Sequence, residues 1–168
     1  MVILAAALLA GCFPAFDWRE SRPEASGATL LIPCRPDRHE RSVQVAATAL
    51  RMQLHSCKAA DFTFSLSAVD AAGPLEVTPL LMALRRHAIA NVEGKAAVLP
   101  PPSIRGTTPN PESRFLRIDG RFPDGRRVVV HAAFFVKGLR VYQATVVGPG
   151  EWPRGESLET FFDAIRLT

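Results

Sequence analysis

The chain has 168 residues, of which 21% are charged and 48% hydrophobic, and its net charge is +4. That balance excludes a disordered chain and a bundle of membrane helices, and it supplies enough apolar material for the core of one domain. The positive charge is mostly arginine, with lysine only at Lys58, Lys95 and Lys137; no base-stacking motif accompanies it, so nucleic acid is not expected as a partner.

The first element in chain order is the run Val2 to Ala10, which has no charge, glycine or proline. As a helix it is too short to cross a hydrocarbon core of ~30 Å, but it matches the apolar centre of a secretory signal. Leu9-Ala10-Gly11-Cys12 then places an aliphatic residue and two small residues before a cysteine. This resembles the lipobox of bacterial lipoproteins. The resemblance implies a signal peptide over residues 1–11, cleavage before Cys12, and a diacylglyceryl group on the Cys12 thiol. It therefore implies a membrane partner reached through lipid, and several acyl chains at about 0.8 kcal/mol per buried methylene hold durably. Phe13 and Pro14 follow the cysteine, where aspartate would favour retention in the inner membrane. The implied address is thus the outer membrane, facing the periplasm, with the inner membrane as the alternative. The same residues also suit a buried N-terminal element with an ordinary core cysteine.

With Cys12 acylated, Cys34 and Cys57 remain as an even pair in an oxidising compartment, and a disulfide between them is expected. Two free buried thiols are the other reading. The four histidines, His39, His55, His87 and His131, show no paired ligand spacing, so neither a metal nor another cofactor is expected.

Residues 12–28 read as a tether with a short strand around Asp17 to Arg22, and residues 29–168 as a single domain. Ala28 to Pro33 is an apolar run ended by proline and reads as a buried strand. Cys34 to Asp37 has turn chemistry, and Ser42 to Thr48 is a weak strand. Leu50, Met52 and Leu54 alternate with Arg51, Gln53 and His55, and Phe62, Phe64, Leu66 and Ala68 alternate with Thr63, Ser65 and Ser67. Period two marks strands with one buried face. They are expected to pair across Lys58-Ala59-Ala60. A helix follows, with Thr78 as N-cap, Pro79 in its first turn, an apolar stripe through Leu80, Leu81, Leu84, Ala88 and Val92, and Gly94 as its stop. Residues 95–111 carry five prolines and read as a long connection without helix or central strand. Such a loop is often functional when ordered.

Leu116, Ile118, Gly120 and Phe122 alternate with Arg117, Asp119 and Arg121 before the turn signal Pro123-Asp124-Gly125. Arg127 to Lys137 is apolar on both faces, so it needs cover on both sides and belongs at the centre of a sheet. His131 falls inside it and reads as a covered core histidine. Leu139 to Val147 returns after Lys137-Gly138. Ser157 is a plausible N-cap for a second helix with Leu158, Phe161, Phe162 and Ile165 on its apolar face. The order five strands, helix, three strands, helix predicts an α+β fold: a largely antiparallel β-sheet covered by two helices.

The closing segment, with its strand at Val141-Tyr142 followed by Phe161, Phe162, Ile165, Arg166 and Leu167, resembles the end of PsbP-like domains. That resemblance implies a non-catalytic α/β/α sandwich. No nucleophile elbow, P-loop, dinucleotide fingerprint or zinc-protease motif is present. Two functions of different class remain. The first is a lipid-anchored interaction or scaffold module of the envelope, with an envelope protein as partner and no catalysis. The second is a periplasmic domain binding a small molecule or ion, possibly enzymatic, with Arg105, Asn110, Trp152 and Arg154 converging between the proline-rich loop and the loop at 148–156.

Overall fold

The computed structural model describes residues 16–45, 48–153 and 156–168. Its strands are β1 (Arg19–Ser21), β2 (Ala28–Ile32), β3 (Asp37–Val45), β4 (Thr48–Ala59), β5 (Phe62–Asp70), β6 (Lys95–Leu99), β7 (Arg114–Arg121), β8 (Arg127–Lys137), β9 (Arg140–Gly148) and β10 (Arg166–Leu167). The helices are α1 (Pro74–Ala90) and the single turn α2 (Glu159–Phe162). Seven strands form one sheet in the order β3-β4-β5-β9-β8-β7-β6, and three form a second in the order β1-β2-β10. Every strand pairing is antiparallel. The α+β class and the antiparallel sheet stand as expected.

The centre of the large sheet, β5, β9 and β8, is buried on both faces. On one, Leu80, Leu81 and Leu84 of α1 cover Ile118, Val130, Phe134 and Val141. On the other, Leu30 and Ile32 of the small sheet, with Phe161, Phe162 and Ile165, cover Phe64, Leu66, Tyr142 and Ala144. β8 carries both sets: Val128, Val130, Ala132, Phe134 and Val136 face α1, and Ala133 and Phe135 face the small sheet. The second layer is therefore chiefly a sheet with one helical turn, rather than a second full helix. The chain leaves α2 early because Arg166 and Leu167 pair with Thr29 and Ala28, and because the Leu167 N–H donates to the Arg105 carbonyl at 2.9 Å.

Several boundaries differ from expectation for identifiable reasons. α1 starts four residues earlier than Thr78, at Pro74, with Gly73 as N-cap. Pro74 supplies the preset first-turn φ, and Thr78 instead accepts a hydrogen bond from Asn110 Nδ2 at 3.0 Å. Pro79 lies inside the helix and deprives the Leu75 carbonyl of its donor; Leu75 is 88% exposed, so water reaches that end. At the other end the Gly94 N–H returns to the Ile89 carbonyl at 3.0 Å. Gly94 lacks a side chain because a Cβ there would lie 2.4 Å from Ile118 Cγ2. Lys95 to Leu99, expected as loop, form the edge strand β6 against β7; the prolines begin only at Pro100, where pairing stops. β3 starts at Asp37, because the alternating charges of residues 37–41 ladder with β4; Glu40 pairs with Arg51 across the two strands and with Arg38 along its own.

His55 and Ser65, expected on solvent faces, are buried, at 3% and 8% exposure. The reason is the two-sided cover. Ser65 and Thr145 meet hydroxyl to hydroxyl at 2.5 Å, which satisfies both.

Residues 16–28 are laid onto the domain rather than standing off as a tether. Phe16 is 2% exposed, and its N–H donates to Glu156 Oε1 at 3.1 Å. Arg19 to Ser21 pair with β2. Ser26 is fully buried, and its carbonyl accepts the Tyr142 hydroxyl at 2.9 Å. Arg140 grips Asp70 with two bonds of 2.6 and 2.7 Å and donates a third to the Ala25 carbonyl at 2.9 Å. The Cys34–Cys57 disulfide joins the end of the small sheet to β4, with the Cα atoms 5.9 Å apart.

Candidate functional site

Where β5, β7, β8 and β9 come together at one end of the large sheet, the register sets three residues side by side. His131 opposes Arg117 on β7 and Val146 on β9. The pleat that turns Val130 and Ala132 towards α1 turns His131 the other way, so it is half-buried under the small-sheet side and not covered by the helix. There it lines a cavity of about 200 Å³ with Arg117, Phe62, Gly148, Gly150 and Trp152. Gly148 shapes the cavity: a Cβ at that position would sit 2.2 Å from the Phe62 ring. Any side chain there would push the ring aside.

Trp152 closes the cavity as part of an aromatic cluster. Its ring centroid lies 4.7 Å from Phe62 and 5.5 Å from Phe16. Its indole Nε1 is buried without a hydrogen-bond partner, and a buried unpaired donor of this kind costs free energy unless a ligand or water meets it. Trp18, by contrast, donates its Nε1–H to Glu156 Oε2 at 2.7 Å. Burial, reinforced by the Arg117 guanidinium, pushes the His131 imidazole below its ordinary value and favours its neutral form. Arg117 binds Asp119 through two bonds of 2.8 and 3.0 Å, which holds the Asp119 carboxyl below the usual range. The cavity is thus lined by the Trp152 ring, the His131 imidazole and the cationic edge of Arg117 within apolar walls. That is a set for binding a small polar or anionic group. Its lining among the described residues includes no hydroxyl, thiol or carboxylate to act as nucleophile. Among the described residues, no three His, Cys, Asp or Glu side chains are grouped to hold a metal. A wider groove of about 750 Å³ adjoins it through Arg117, Val129 and Gly150, and is lined by charges of both signs.

The proline-rich segment 100–113 is ordered by bonds at both ends. Ser103 N–H donates to Asp163 Oδ1 at 2.7 Å, Thr108 N–H to the Val136 carbonyl at 2.6 Å, and Arg85 pairs with Glu112 at 2.9 Å. Cavities of about 460 and 450 Å³ lie on its two sides and share Pro101 and Pro102.

Of the four residues expected to converge, the three that are described are placed apart. Asn110 lines the cavity beside the proline segment, with its amide committed to Thr78 and to the Glu112 N–H. Trp152 lines the separate cavity at the sheet end. Arg105 is exposed and contributes its backbone to the bond with Ile165. Arg154 and Cys12 lie outside the described residues. His131 and Arg117 were not foreseen as partners; their shared register across the Pro123-Asp124-Gly125 turn was the available signal.

No protein-family profile and no curated protein sequence matches the chain.

Proposed function

We propose that the protein is a lipid-anchored component of the bacterial envelope, an outer-membrane lipoprotein facing the periplasm, whose domain is a non-catalytic interaction or scaffold module. The observation that carries this reading is the cysteine set. Cys34 and Cys57 are joined, which leaves Cys12, the lipobox cysteine, as the remaining one of three. A structural disulfide supports an oxidising compartment. The resemblance of the closing segment, Phe161, Phe162, Ile165, Arg166 and Leu167, to PsbP-like domains supports the non-catalytic role. The ordered proline segment with a cavity on either side is the surface on offer to an envelope protein. Mass spectrometry of the mature N-terminus tests the anchor: the expected product starts at acylated Cys12, and a Cys12→Ser variant stays unacylated and soluble. A photo-crosslinker at Pro101 tests the role. Capture of one envelope protein supports it, and adducts to lipid alone count against it.

The unpartnered Trp152 indole favours a second reading, a periplasmic domain that binds a small molecule or ion. Titration of small carboxylates and phosphate against tryptophan fluorescence tests it, and saturable change lost in His131→Ala is the expected result.

A further inference from the structure

The geometry points to a fixed orientation on the membrane: the end of the sheet that bears Trp18, Trp152 and the cavity beside His131 faces the lipid headgroups. This rests on the reading of Cys12 as the acylated residue. Phe16 is 2% exposed, and its ring meets Phe62, Phe64 and Trp152 at 5.3 to 5.9 Å. The chain is therefore fixed to the domain four residues after Cys12. Four residues span at most about 14 Å, whatever their conformation. A domain held that closely cannot stand off the bilayer or turn over on it, as a domain on a long linker can.

The fold defines which surface comes down. Phe62 opens β5 next to the Ala60 turn, and Val147 of β9 pairs with Thr63 beside it. The turn at Pro123 to Gly125 and the loop from Pro149 to Pro153 lie at this same end, because they begin β8 and follow β9. The opposite end holds the Lys137 to Arg140 turn, with Leu139 43% exposed. The nine residues of β9 separate the two ends by about 27 Å at ~3.3 Å per residue. Charge at the lower end is mixed and nearly balanced, with Lys58, Lys95, Arg121, Arg126 and Arg127 beside Asp61, Glu93, Asp124 and Glu151, all exposed. The orientation is set by the covalent reach, and it is insensitive to salt.

The two tryptophans of the chain, Trp18 and Trp152, both lie at the end assigned to the membrane, so they report on it directly. The mature acylated protein is reconstituted into phosphatidylethanolamine–phosphatidylglycerol vesicles that carry a dansyl headgroup, and energy transfer from tryptophan is measured together with flotation. Strong transfer that persists in 0.5 M salt, as an order-of-magnitude test of screening, is expected. Inserting a Gly/Ser segment of about 20 residues between Ala15 and Phe16, with an r.m.s. span of about 25 Å, is expected to lower transfer severalfold without loss of flotation. A variant with Trp18→Phe, Trp152→Phe and Leu139→Trp transfers severalfold less than the parent. Protein that floats yet transfers equally from both ends, or ignores the inserted segment, overturns the orientation and leaves the anchor intact. Protein that neither floats nor carries lipid at Cys12 removes the anchor reading and the orientation together.

Discussion

On one face of the large sheet the cover is a single helix of 17 residues, local in sequence and aliphatic, with Leu80, Leu81 and Leu84 at its centre. On the other face the cover is assembled from the two ends of the described chain, residues 16–32 and 158–168, and it is aromatic, with Phe16, Trp18, Phe161 and Phe162 around Phe64. The fasteners follow that division. The disulfide, the Arg140 clasp and the Tyr142–Ser26 bond all hold the second face. The lesson is physical. A helix nucleates within itself and needs only its stripe to dock. A three-strand cover gathered from distant segments loses more chain entropy on closing, and it is held by a covalent bond and charge-assisted bonds.

The largest expected loss comes from Phe64→Ala, about 3–5 kcal/mol for a fully buried aromatic. Urea denaturation followed by tryptophan emission measures it, and a loss under 1 kcal/mol would show that the aromatic face is not a packed core. Leu80→Ala on the helix face is expected to cost about 2–5 kcal/mol, but with tryptophan emission of the native state unchanged, since Trp18 and Trp152 pack on the other side.

Removing the disulfide with Cys34→Ser and Cys57→Ser is expected to cost about 3 kcal/mol. Hydrogen exchange sharpens the result: amides of Ala28–Ile32 lose protection first, while those of Pro74–Ala90 follow only global unfolding. Equal loss on both faces would mean that the two covers unfold as one unit. Arg140→Ala is expected to cost about 1 kcal/mol, because its partner carboxylate is largely solvated and screened, and to loosen residues 23–27 in the same exchange experiment.

The smallest expected effect is a pH dependence confined to the small-sheet side. Burial lowers the pKa of both His55 and His131 from the ordinary 6.5. The folded state then binds fewer protons than the unfolded chain, so their contribution is present above pH 6.5 and is lost as pH falls below it. Melting temperature is expected to drop between pH 7.5 and 5.5, and His55→Gln to flatten that slope. A slope unchanged in His55→Gln would place the titration elsewhere.

Much of the central sheet is legible in the sequence. β7, β8 and β9 follow from period-two patterning broken by Pro-Asp-Gly and Lys-Gly turns, and the two-sided burial of β8 from its unbroken apolar run. The disulfide followed from an odd cysteine count. The second layer was not legible, for a reason: Arg166-Leu167 is too short to show a period, and its partner lies more than a hundred residues away. β6 was hidden by the prolines that follow it. The site was harder still. Trp152 reads in the sequence as an aromatic in a loop, but its company of His131 and Arg117 depends on register across three strands, which no single segment displays.

The pairing of β2 with β10 has a consequence for the order in which the molecule is made. Thr168 donates its N–H to the Gly27 carbonyl at 3.0 Å, and Arg166 pairs with Thr29, 137 residues before it. While residues 158–168 are still inside the ribosome, β2 lacks its partner. The helix side of the protein can therefore mature earlier in synthesis, whereas the aromatic side closes only once those later residues have emerged.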